Sequence, residues 1–125
     1  MALYITLERK IEGFDEMVDG KGVGRAESQL EKIAKKFGVT PLMEFFSASA
    51  EEMAEFDVEI PGTPAAKYFD GKQGLKTIQA LRAYLEKNPK EIKDGTWILE
   101  DLKDFERVLS KAAENGVRWH LSVDT

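Results

Sequence analysis

The sequence predicts an α+β domain in which four or five helices pack on a small sheet formed by the N- and C-terminal strands. Three observations carry this. Apolar and polar residues alternate strictly at both ends of the chain. The residues between them show helical apolar stripes with readable start and stop signals. No Ser/Gly/Pro-rich linker divides the 125 residues, and roughly 100–200 residues make one domain, so 1–125 reads as a single unit.

At the N-terminal end, Leu3, Ile5 and Leu7 alternate with Tyr4, Thr6 and Glu8, the period of a strand with one buried face. At the other end Val117, Trp119, Leu121 and Val123 alternate with Arg118, His120, Ser122 and Asp124. Two terminal strands most economically pair with each other. Val58 to Ile60 is a candidate third strand, since two strands alone are marginal. An open sheet edge also allows a homodimer through strand pairing.

Arg9 to Gly24 holds four of the ten glycines and reads as irregular. Ala26, Leu30, Ile33, Ala34 and Phe37 then form a helical stripe, closed by Gly38 at the left-handed cap position. Thr40-Pro41 opens a short helical segment through Phe46. Ser49-Ala50-Glu51-Glu52 is a capping box for a second short helix to about Phe56. Asp57 to Phe69 reads as irregular. Asp70 to Gln73 is another capping box, followed by Leu75, Ile78, Leu81 and Leu85 up to Asn88-Pro89. The strongest helix starts near Thr96, carries Ile98, Leu102, Phe105, Leu109 and Ala112, and stops at Asn115-Gly116. Trp97 and Trp119 are expected to anchor the core.

Composition narrows function. There is no cysteine and one histidine, which excludes disulfides, thiolate chemistry and any site needing two imidazoles. No apolar run approaches the ~20 residues of a membrane helix, and no basic-then-apolar leader precedes the first strand, so cytoplasmic residence is the expectation. Gly20-Lys21-Gly22-Val23-Gly24 lacks the spacing of a phosphate loop and the strand context of a dinucleotide fingerprint. A calcium loop starting at Asp15 would need a bidentate glutamate where Ala26 stands. No cofactor and no metal are expected.

Charge is unevenly placed. Phe37 through Ala66 contains no lysine or arginine but six acids, whereas the rest of the chain, with eighteen basic and seventeen acidic residues, sums to +1 against a total of −5. The net acidity speaks against nucleic acid and anionic membranes as partners. The same stretch holds Leu42, Phe45, Phe46 and Phe56. Exposed aromatics beside Glu51 and Glu52 would suit a basic protein partner.

The expected function is therefore a non-enzymatic protein-binding module contacting its partner through Leu42, Phe45, Phe46, Glu51, Glu52 and Phe56. An immunity-type inhibitor of a basic toxin or nuclease is a narrower form of it. The alternative is a small enzyme or ligand-binding protein using the polar strand face, where His120, Glu8, Tyr4 and Asp124 supply a base, carboxylates and a hydroxyl.

Overall fold

The computed structural model of the protein describes residues 1–48 and 66–124. Within these, β1 (Ala2–Leu7), α1 (Lys21–Arg25), α2 (Glu27–Lys36), a 3-10 turn (Leu42–Phe45), α3 (Gly71–Lys87), α4 (Gly95–Glu114) and β2 (Trp119–Asp124) follow in order. Four α-helices and a two-stranded antiparallel sheet of the terminal strands form one α+β domain, as the sequence predicts. The helix expected over Ser49–Phe56, the strand at Val58–Ile60, and Glu51, Glu52 and Phe56 lie outside the described residues.

The register pairs Leu3 with Val123, Ile5 with Leu121 and Leu7 with Trp119 on one face, and Tyr4 with Ser122 and Thr6 with His120 on the other. The first face is apolar and closes the core. Phe45 lies in that core, its ring 4.9 Å from the Trp119 ring and 5.2 Å from that of Phe69. From α3 the core takes Ile78, Leu81 and Leu85, and from α4 Ile98, Leu102, Phe105 and Leu109. Burial of this apolar surface is the main favourable term in folding, roughly 25 cal/mol per Å².

The two glycine stops act as read. After α2, Val39 N–H donates to Ala34 O and Gly38 N–H to Lys35 O; after α4, Val117 N–H donates to Ala112 O and Gly116 N–H to Ala113 O. Both are complete Schellman motifs, with Gly38 at φ +68° and Gly116 at φ +63°. Asp70 caps α3 by accepting the Lys72 N–H at 2.9 Å.

Three expectations need correction. The glycine-rich run after Asp19 is not all loop, because Lys21–Arg25 is helical. Its glycines serve close approach: a Cβ on Gly20 would sit 1.6 Å from Leu3 O, and one on Gly24 would sit 2.2 Å from Met1 O. Phe37, read as part of the α2 stripe, is half exposed at the helix end and packs edge-on against Tyr84. Trp97 is only partly buried, with the Arg25 guanidinium 5.6 Å above its ring.

Beyond β2 the sheet has two single-residue extensions. Phe46 bridges Leu121 in parallel fashion and Phe69 bridges Trp119 in antiparallel fashion. β2 is thus flanked on both sides, and β1 carries the open edge.

Candidate functional site

Two places collect functional groups: the polar face of the sheet around His120, and the outer edge of β1.

On the polar face, His120 and Ser122 are buried completely or nearly so. Tyr68 covers the imidazole with ring centroids 5.1 Å apart. Nδ1 of His120 lies 3.0 Å from Leu121 O and 3.3 Å from Ser122 Oγ. A carbonyl can only accept, so Nδ1 is the donor in its contact with Leu121 O. The Ser122 hydroxyl shares a separate hydrogen bond with Thr6 Oγ1 at 2.7 Å. Nε2 is buried and has no partner among the described residues.

This direction of hydrogen bonding is the reverse of what a serine nucleophile needs. An activating base accepts the hydroxyl proton through an unprotonated nitrogen. Here the nitrogen facing Ser122 is the protonated one. The other candidates are occupied or displaced. Glu8 is held in an ion pair by Arg118. Tyr4 and Asp124 line a groove at the outer edge of β1, whose lining includes neither His120 nor Glu8. The pairs Thr6–His120, Tyr4–Ser122 and Ala2–Asp124 succeed one another along the ladder, so His120 and Asp124 stand at opposite ends of the shared face. The four candidate catalytic residues share a face without converging on that groove.

The expected contact surface is divided as well. Leu42 and Phe45 are 4% and 2% exposed, so they are core residues and present nothing to a partner. The 3-10 turn points both inward. Phe46 follows as its cap and turns the other way, 38% exposed. The chain then meets the edge of β2, where Ser47 N–H donates to Leu121 O at 3.2 Å. On the returning strand, Lys67 N–H donates to Ser47 Oγ at 2.7 Å, and Phe69 exchanges two backbone hydrogen bonds with Trp119.

The groove at β1 has a volume of about 620 Å³. β1 forms one wall and Glu16–Asp19 the other. Leu3 N–H donates outward to Gly20 O at 3.1 Å, whereas Glu8 N–H donates inward to Arg118 O at 2.8 Å. Backbone direction alternates along a strand, so Ile5 and Leu7, like Leu3, face outward. Arg107 of α4 holds the far wall: its guanidinium donates to Asp15 O at 2.7 Å and Met17 O at 2.9 Å, with Nε bound to Asp104. Met17 is left 75% exposed above the groove.

Sequence reasoning did not find Tyr68, Met17, Arg107 or Asp101. Asp101 carried a legible signal, since it stands on the apolar stripe of α4 between Ile98 and Leu102. A lone acid there must find donors, and it does, in the N–H groups of Gly22 and Val23. Its burial pushes the carboxyl above the usual range, and the two backbone bonds oppose that shift.

No group of three potential metal ligands occurs among the described residues, and no described helix is long and apolar enough to cross a membrane. No protein family, curated protein or solved structure matches the chain. The functional reading rests on its own geometry.

Proposed function

We propose that this chain is a non-enzymatic protein-binding module whose contact surface is the acidic, aromatic stretch leaving the sheet at Phe46. The supporting observation is how the stretch is anchored. Phe46 and Phe69 bridge β2 at Leu121 and Trp119, and the Lys67–Ser47 hydrogen bond ties the two chain ends together. The residues flanking the stretch that carries Glu51, Glu52, Glu55, Asp57 and Glu59 in sequence are thus both fixed at one sheet edge, where Phe46 is partly exposed. Fixing the ends lowers the ordering entropy that binding must overcome. The unbroken acidity speeds encounter with a basic partner. An inhibitor that masks a basic toxin or nuclease is the narrower form of the reading.

Affinity capture with the purified chain tests it. Capture should weaken as salt rises, fall with Phe46→Ala or with Glu51→Lys/Glu52→Lys, and survive the remote control Glu31→Lys. Equal recovery by all variants would remove the assignment.

A further inference from the structure

We infer that the outer edge of β1 is a second binding site, which takes an extended, basic segment of another protein by strand addition. The groove lies across the sheet from Phe46, so binding there is independent of the surface proposed above.

Four observations converge. First, the edge is chemically open: Ile5 and Leu7 direct N–H and C=O groups outward, and neither has a backbone partner on that side among the described residues. Natural sheets usually bulge, shorten or cover such an edge, because it templates pairing with another chain. Second, the edge already makes one backbone hydrogen bond to another segment of the chain. Gly20 takes the Leu3 N–H, and the chain then turns away into α1, leaving the two pairing residues beyond unused. Third, the far wall is held in place before any ligand arrives. Arg107 ties Asp15 and Met17 to α4, so the groove need not be opened on binding. Its volume, about 620 Å³, is within the ordinary range for ligand clefts.

Fourth, the rim selects the occupant. Glu16, Asp19 and Asp124 border the groove against a single cation, Lys21, and none of the four is in a salt bridge among the described residues. A second copy pairing β1 to β1 would bring two acidic rims together, which like-charge repulsion opposes. An extended segment with apolar residues toward Met17 and Val18, alternating with lysine or arginine toward the rim, satisfies both the backbone and the charges. The open stretch from Ile5 to Leu7 spans about 7 Å, so the paired part of the ligand is three to five residues, by a rise of ~3.4 Å each.

The test uses the full-length, nitrogen-15-labelled protein and the synthetic peptide acetyl-Lys-Val-Lys-Ile-Lys-Val-Lys-amide. Expected are shifts of the Ile5, Leu7 and Met17 amide signals, and slowed hydrogen exchange at Ile5 and Leu7. Methylating the peptide backbone nitrogens that face the edge should abolish these effects. Replacing its lysines by glutamate should do the same. Glu16→Lys and Asp124→Lys should each weaken binding about two- to fivefold, the range for exposed charge pairs. Absence of shifts at β1, or equal shifts from the methylated or glutamate peptide, would overturn the site. A dimer mass by light scattering, with Ile5 and Leu7 signals that move with protein concentration alone, would overturn it in favour of self-pairing.

Discussion

The backbone N–H of Gly22 donates to Asp101 Oδ2 at 2.8 Å, joining residues 79 positions apart. Val23 N–H reaches the same oxygen at 3.2 Å. A carboxylate on α4 thereby caps α1, a helix of five residues whose N-cap, Gly20, has no side chain and whose first N–H alone, that of Lys21, is taken locally, by Asp19 Oδ1 at 3.2 Å. The first N–H groups of a helix have no partner within it, so this long-range cap replaces what the local sequence does not supply.

Asp101 should set a small pH dependence. Its folded carboxyl titrates above the ordinary range because of burial, so the folded state holds the proton more tightly than the unfolded one. Stability owed to this group is fully present in acid, below the ordinary carboxylate range. It is lost as pH rises through that range toward the raised folded value. Asp101→Asn keeps an acceptor without the charge, so wild type minus variant stability should fall as pH rises above about 4, the ordinary aspartate value. Asp101→Ala removes the cap and should cost about 1–2 kcal/mol. Urea titrations at several pH values measure both.

His120→Leu should leave stability unchanged or raise it by up to about 1–2 kcal/mol. Nε2 is buried without a donor among the described residues, and burying an unsatisfied polar atom costs about that much. Little else is orphaned by the change: Leu121 O keeps the Ser47 N–H, and Ser122 keeps Thr6. A loss above roughly 1 kcal/mol in urea melts would show that Nε2 does have a partner in solution.

Thr77→Val should destabilise. Thr77 is fully buried, and its hydroxyl donates to Thr40 O at 2.6 Å, tying α3 to the loop before the 3-10 turn. Valine keeps the shape but strands the carbonyl, at a cost of about 1–3 kcal/mol. Thr77→Ser keeps the donor and should lose less. Thermal melts of the two variants, run side by side, decide it; equal losses would mean that packing, not the bond, matters at Thr77.

Gly74→Ala should also destabilise, although alanine is the better helix former by about 1 kcal/mol. A Cβ on Gly74 would lie 2.4 Å from Trp119 Cζ2, and the indole is held by its N–H bond to Asp70 O at 3.2 Å. Overpacking of this kind costs about 1–3 kcal/mol, which outweighs the propensity gain. A melting temperature at or above wild type would show that the ring has room to move.

How legible the molecule was depends on the range of the interaction. Signals carried by neighbours within about four residues could be read: the strict alternation of both strands, the apolar stripes of α3 and α4, and the glycine stops at Gly38 and Gly116. Those depend on backbone sterics and local hydrogen bonds that follow the chain. Composition also removed thiol chemistry and two-imidazole sites without any structure, because the residues are absent.

Tertiary structure decided the rest. Phe45 and Phe46 are adjacent and chemically identical, yet one is core and the other surface, because the 3-10 turn ends between them and reverses their directions. His120 alternates with apolar residues as an exposed strand residue would, but Tyr68 covers it from another part of the chain. The glycines of α1 resemble a loop until β1 is laid against them. Phe46 and Phe69 bridge the far side of β2, which leaves β1 as the open edge among the described residues, and Arg107 fixes the wall facing that edge through Asp15 and Met17. Local pattern determines which residues can be helix or strand. Contacts between residues distant in sequence determine which side chains remain available to a partner.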